Sequence, residues 1–181
     1  MIKIAIVGNI ASGKSTVEKI LEQCGYKVFD ADKIAHKVLE GSDHIKKLFG
    51  THDRKEIAKI VFSDPKKLEQ LETIIHPQVK NELLKIFNMN EEIIFVSVPQ
   101  LFEAGMESLF DKIIYITADK EIRKSRLIKR NSFTPDEAEI RISAQNELNK
   151  KNLSDFIINN NGSFDELESQ VKTILNQIIK N

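Results

Sequence analysis

Short runs rich in β-branched residues alternate along this chain with stretches whose apolar positions recur every three or four residues. Residues 2–7, Ile-Lys-Ile-Ala-Ile-Val, form the first run and suit a strand buried on both faces. Residues 16–24 follow with Val17, Ile20 and Leu21 at helical spacing, and Gly25 suits the end of that helix. A second short strand is expected at 26–29, before the acidic Asp30-Ala31-Asp32. From Lys33 to about Asn90 the pattern is helical throughout. Ile34, Val38 and Leu39 make one stripe; Leu68, Leu71, Ile74 and Ile75 make another, opened by Asp64 as cap and Pro65 at the first helical position. His76-Pro77 should break or kink that helix, because proline removes a donor and crowds the preceding turn.

Strands return at 93–98 and 112–117. Asp119 is expected to cap a basic helix running to about Arg130, and Thr134-Pro135-Asp136-Glu137 spells a capping box opening another. Residues 156–159 give a last strand. Ser163 with Glu166 gives a second capping box, and Phe164, Leu167, Val171, Ile174, Leu175 and Ile178 give the final amphipathic helix. Buried strands alternating with helices predict an α/β fold with a mainly parallel sheet, and the long helical stretch reads as an insertion at its edge.

Composition changes this picture little. The chain of 181 residues suits one domain, with 41% apolar and 30% charged residues, as in ordinary core-forming proteins. Lys plus Arg balance Asp plus Glu at 27 each, which argues against a nucleic-acid binder. No apolar run approaches the ~20 residues of a spanning helix, so no membrane contact is expected. The single cysteine, Cys24, points to a reducing, cytoplasmic setting, and its expected place is packed on a helix as a small hydrophobe.

Gly8-Asn9-Ile10-Ala11-Ser12-Gly13-Lys14-Ser15 fits G-x-x-x-x-G-K-[ST], between a predicted strand and a predicted helix. In that context glycines let successive N–H groups turn inward as an anion nest, and the helix start adds its own free N–H groups. Lys14 would reach the β- and γ-phosphates, and the Ser15 hydroxyl would serve Mg²⁺. A bound nucleoside triphosphate is the expectation. A guanine-reading Asn-Lys-x-Asp is missing, since Asn149-Lys150-Lys151-Asn152 lacks the acid, and the strand at 93–98 runs into Pro99 rather than an acid. A small-molecule kinase therefore fits best.

Phosphoryl transfer needs a proton acceptor and positive charge on the moving group. Asp30 and Asp32, beyond a strand end expected near the phosphate loop, are the candidate acids, although either could merely cap the next helix. Arg123, Arg126 and Arg130 share one helix face by spacing and lead into a polar loop, as in a mobile lid; the alternative is a solvated basic face.

Together these residues resemble the dephospho-coenzyme A kinase family over nearly the whole chain. The likeness rests on residues 8–16, Val28-Phe29-Asp30-Ala31-Asp32, His76-Pro77-Gln78-Val79, Val98-Pro99 with Leu101-Phe102-Glu103, Arg126 and Arg130, Ala144-Gln145, and Asp155-Phe156-Ile157-Ile158-Asn159 with Asn161-Gly162. It implies a P-loop NTPase-type parallel sheet flanked by helices, with a core at 1–32 and 91–181. It also implies a helical coenzyme A-binding insertion at about 33–90 and a helical lid at about 119–134. The implied reaction is Mg²⁺-dependent transfer of the ATP γ-phosphate to the ribose 3′-hydroxyl of 3′-dephospho-CoA, in the cytoplasm. Nucleic acid is not an expected partner, and a single copy is the expected unit with assembly left open.

Carried over, the resemblance makes Asp32 the base and Lys14 and Arg130 its catalytic cations. Gly8, Ala11, Ser12, Gly13, Lys14, Ser15, Thr16, Arg126 and Arg130 hold the nucleotide, with Ser15 on the metal. His76 is an acceptor-side contact or a histidine satisfied at a helix kink. The chain departs from the family pattern where Thr-Gly-Gly-Ile-Gly reads Val7-Gly8-Asn9-Ile10-Ala11, and where Gln100 replaces an apolar residue. Asn9 tolerates left-handed backbone and Ala11 adds one methyl. A kinase with another acceptor and a non-catalytic ATP-binding module are the rival readings.

Overall fold

The computed structural model describes residues 1–145 and 150–180, so Asn149 lies outside the described residues. Strands β1 (Ile2–Gly8), β2 (Lys27–Asp30), β3 (Ile93–Ser97), β4 (Lys112–Thr117) and β5 (Phe156–Asn159) form one sheet in the order β2-β3-β1-β4-β5. β1 pairs parallel with β3 and with β4, and β4 pairs parallel with β5. The three inner strands are the most buried, and their buried positions are mostly hydrophobic, as a parallel strand covered on both faces requires.

The chain folds as two compact units, residues 1–29 with 91–181, and residues 30–90. In the first unit, helices α1 (Lys14–Gln23) and α8 (Phe164–Lys180) pack on the sheet. Val17, Ile20 and Leu21 meet Ile4, Ile6, Phe95, Ile114, Ile116 and the buried stripe Leu167, Val171, Ile174, Leu175 and Ile178. Phe164, expected on that stripe, is instead exposed at the first turn of α8. α1 ends as its glycine predicts. Gly25 takes φ +91°, its N–H donates to Glu22 O, and the Tyr26 N–H donates to Leu21 O, a Schellman closure. Cys24, expected to pack inward, is exposed at that closure because the apolar stripe of α1 stops at Leu21.

Also in the first unit, helix α6 (Lys120–Asn131) follows β4, and α7 (Pro135–Ser143) follows α6. Asp119 stands at the N-cap of α6, but no side-chain capping bond forms, which corrects that expectation; its own N–H donates to Asn161 Oδ1 instead. The Thr134–Glu137 capping box on α7 and the Ser163–Glu166 pair on α8 both form.

Helices α2 (Ala31–Gly41), α3 (Asp43–Phe49), α4 (Arg54–Ser63) and α5 (Pro65–Ile86) make up nearly all of the second unit. Their core is Leu39, Ile45, Ile57 and Leu71, ringed by Phe49, Val61, Ile74 and Ile75. Each helix start is capped by a side chain from its own sequence: Asp30, Ser42, Asp53 and Asp64 accept first-turn N–H groups. Of the break or kink expected at His76-Pro77, the break does not occur: α5 runs on through Pro77. Pro77 is exposed, so the carbonyl it leaves without an intrahelical donor can turn to water, while Leu71, Val79 and Leu83 hold the buried side.

Pro77→Ala restores one helical donor at an exposed site. It should raise unfolding free energy by about 1–3 kcal/mol, read as a higher urea midpoint with an unchanged slope.

Candidate functional site

The loop between β1 and α1 is shaped by two close approaches and two left-handed residues. A Cβ on Gly8 would lie 2.5 Å from the Ile116 carbonyl oxygen on β4, so only glycine fits there. Gly13, the N-cap of α1, takes φ +103°, and a Cβ on it would overlap Asn160 Nδ2. The other left-handed position is Ala11, at φ +58°, and not Asn9, whose tolerance of that conformation goes unused. An L-residue there costs about 1 kcal/mol relative to glycine, so the loop holds strain at the position where this chain departs from the glycine of the pattern it resembles.

That strain is held by side chains from far along the sequence. The Arg126 Nη1 donates to the Ala11 and Ser12 carbonyls, each at 3.3 Å, and its Nη2 donates to Asn160 O at 2.8 Å. Asn160 Nδ2 donates to Ser12 O at 2.7 Å, and the Asn160 N–H is tied to Thr117 O. Burial lowers the pKa of Arg126, yet a guanidinium stays charged at neutral pH. On the outer side of the loop, the Ile10 N–H donates to Gln145 Oε1 at 2.7 Å. Ile10 and Ala11 also pack against Leu127, Ala138 and Ile142 of α6 and α7.

Lys14 Nζ donates to Gly8 O at 2.6 Å, so its ammonium folds back over the loop. Ser12 is fully buried with its Oγ lacking a hydrogen-bond partner, and its N–H donates to Asn9 O. Ser15 is exposed on the first turn of α1, and the Thr16 N–H is taken by Gly13 O. Arg130 is exposed and its Nε donates to Asn131 Oδ1. Arg123 departs from the expected three-arginine face: it is buried, with Nε on Ala118 O, and belongs to the packing under α6.

In the second unit the two acids have separated. Asp30 caps α2, accepting from the Asp32 and Lys33 N–H groups, whereas Asp32 is exposed in the first turn. His76 is half-buried on α5. Among the described residues no group of three or more His, Cys, Asp or Glu is arranged to hold a metal by itself. No helix of the described residues is long and apolar enough to cross a membrane.

Sequence reasoning gave no role to Asn160 and marked Gln145 only as part of the Ala144-Gln145 element of the resemblance. A lone polar residue such as Asn160 beside a strand carries no motif, and its function shows only once β5 lies beside β4. Glu103 likewise acquires a partner, Lys150, that spacing could not reveal.

Comparison with known proteins fits this geometry. The family model described as dephospho-CoA kinase matches residues 2–166. The chain belongs to the dephospho-CoA kinase family. A relative from Listeria monocytogenes named dephospho-CoA kinase is 37% identical, over 98% of each chain. The crystal structure of TT1252 from Thermus thermophilus superposes with a TM-score of 0.87 at 34% identity, covering 97% of both chains. A dephospho-CoA kinase from Campylobacter jejuni gives a TM-score of 0.76 at 29% identity, over 98% of this chain and 97% of that one. The family's P-loop fold, a parallel sheet flanked by helices, is the one this chain adopts.

Gly8→Ala should cost about 1–3 kcal/mol of stability through overpacking and abolish ATP binding in calorimetry. On α7, Glu139 is held below the ordinary Glu value of 4.5, chiefly by its hydrogen bond to Lys120, and Glu137 chiefly by the Thr134 N–H. Depressed carboxylate pKa values lend stability that is full above 4.5 and lost as pH falls through the folded values. The thermal midpoint of Glu139→Gln should therefore lie below wild type at pH 7 and converge with it in acid.

Proposed function

We propose that this chain performs its family's reaction, moving the γ-phosphoryl group of ATP to the ribose 3′-hydroxyl of 3′-dephospho-CoA, with the phosphate loop, Asp32 and Arg130 carrying it out. The observation that carries this reading is the loop itself. Ala11 and Gly13 are left-handed, Gly13 opens α1, and Arg126 and Asn160 engage the Ala11 and Ser12 carbonyls. Such a turn offers N–H groups and a helix start to phosphate oxygens.

In this mechanism Lys14 gives up the Gly8 carbonyl for the β- and γ-phosphate oxygens. Asp32, exposed in the first turn of α2 while Asp30 does the capping, accepts the 3′-hydroxyl proton. The ribose oxygen forms its bond to the γ-phosphorus as the bond to the bridging oxygen of ADP breaks. Arg130 brings its guanidinium to the moving group, whose charge spreads over three oxygens. The exposed Ser15 hydroxyl fits Mg²⁺, which takes oxygen ligands and shares its shell with phosphates and water. The ion would supply charge neutralisation at the β,γ oxygens.

The proposed division of labour gives the coenzyme A portion of the acceptor to residues 33–90 and the lid to about 119–134. A single copy is the proposed working unit. The lone thiol and the use of ATP support a cytoplasmic setting.

The test is ADP release from Mg²⁺·ATP with and without 3′-dephospho-CoA, with mass spectrometry of the acceptor. Acceptor-dependent ADP and one phosphate on the ribose 3′ position are expected. ATP binding without transfer to any hydroxyl acceptor would overturn the reading in favour of a regulatory module, and transfer to another acceptor would overturn the choice of substrate. Asp32→Asn should lower turnover by about 10²–10⁴ and leave the Kd for ATP unchanged. Arg130→Ala should lower it by about 10²–10³.

A further inference from the structure

We infer that Gln145 is a positioning residue for the phosphate loop, holding the Ile10 N–H so that Ala11 keeps the left-handed backbone that nucleotide binding requires. The inference rests on the nucleotide-binding reading of that loop.

Ala11 is the one loop residue whose backbone opposes its own side chain, since a Cβ at φ +58° crowds the adjoining carbonyl. A residue in that region persists only when its surroundings over-determine it. The surroundings here act from both sides. After Ala11, Arg126 and Asn160 fix the Ala11 and Ser12 carbonyls. Before it, Gln145 Oε1 takes the Ile10 N–H across 135 positions of sequence. The Ala11–Ser12 peptide is thereby pinned through its carbonyl and the Asn9–Ile10 peptide, one step earlier, through its N–H, so the short segment that carries Ala11 is held at both ends.

Gln145 stands just past the end of α7, and α7 itself is anchored. Ala138 and Ile142 pack with Leu127 against Ile10 and Ala11. The Glu139 carboxylate pairs with Lys120 and Lys124 of α6, and Thr134 with Glu137 closes the capping box. The amide acceptor is therefore delivered from a fixed support.

The test is Gln145→Met, which keeps length and loses the acceptor, compared with Ala11→Gly and with the two combined. Calorimetry with Mg²⁺·ATP gives the Kd, and steady-state assays give KM for ATP and kcat separately. For Gln145→Met we expect a Kd and KM for ATP raised about three- to ten-fold, with kcat and the acceptor KM near wild type. In the combined variant, Ala11→Gly should remove most of that rise.

A rise that persists undiminished on the glycine background would overturn the proposal and leave Gln145 as packing alone. An ATP affinity unchanged in Gln145→Met would overturn it too, with the family reaction standing. A wild-type chain that binds no Mg²⁺·ATP would sink the nucleotide-site reading and this inference with it. Should Gln145→Met not fold, the wild-type Ile10 amide decides. Slow hydrogen exchange without nucleotide supports the clamp, and exchange at a free-amide rate overturns it.

Discussion

A backbone turn that points N–H groups at an anion must send carbonyls of the same residues the other way, and carbonyls turned into the protein need donors there. Arg126 and Asn160 meet that demand at Ala11 and Ser12, and much of the first unit follows from bringing them within reach. Asn160 arrives because β5 pairs with β4 and ends one residue earlier; its own N–H continues toward Thr117 O. Arg126 arrives on the helix that follows β4. Gly8 lets β1 and β4 close against each other at the loop's base. The parallel sheet is thus the frame that carries donors from positions more than a hundred residues away to a loop of eight.

The second unit solves a smaller problem by the same economy of groups. A helix start needs an acceptor for its first N–H groups, and the proposed chemistry needs a second carboxylate that is not spent on the cap. Two acids separated by one residue satisfy both, because Asp30 takes the cap and Asp32 stands exposed in the first turn. Sequence spacing alone leaves open which acid caps the helix. Backbone geometry gives the cap to Asp30, the residue in extended conformation before the helix.

What could be read from the sequence was whatever depends on neighbours. Strand positions, the helical insertion, the Gly25 closure and both capping boxes rest on contacts within a few residues, and the patterns for them are local. The phosphate loop was legible because its requirements are written into one eight-residue string. Arg123 and Arg126 sit at equivalent helical spacing, yet one is buried with its Nε on Ala118 O and the other grips the loop, a difference set by what the fold brings against each. Pro77 reads as a breaker until its exposure is known. What Asn160 and Gln145 bond to has no local signature, because their partners lie 148 and 135 residues away.

The strands shorten from the centre of the sheet outward, with seven residues in β1 and only four in each of the outer strands β2 and β5. An outer strand is where unpaired backbone groups could recruit another chain, and its capacity to do so scales with its length. Four residues offer a foreign strand only a couple of ladder bonds, and helices adjoin both of these strands in the chain. A fold that needs long parallel strands to carry its donors thus keeps them in the interior and presents brief borders, which limits sheet-to-sheet growth between copies during refolding.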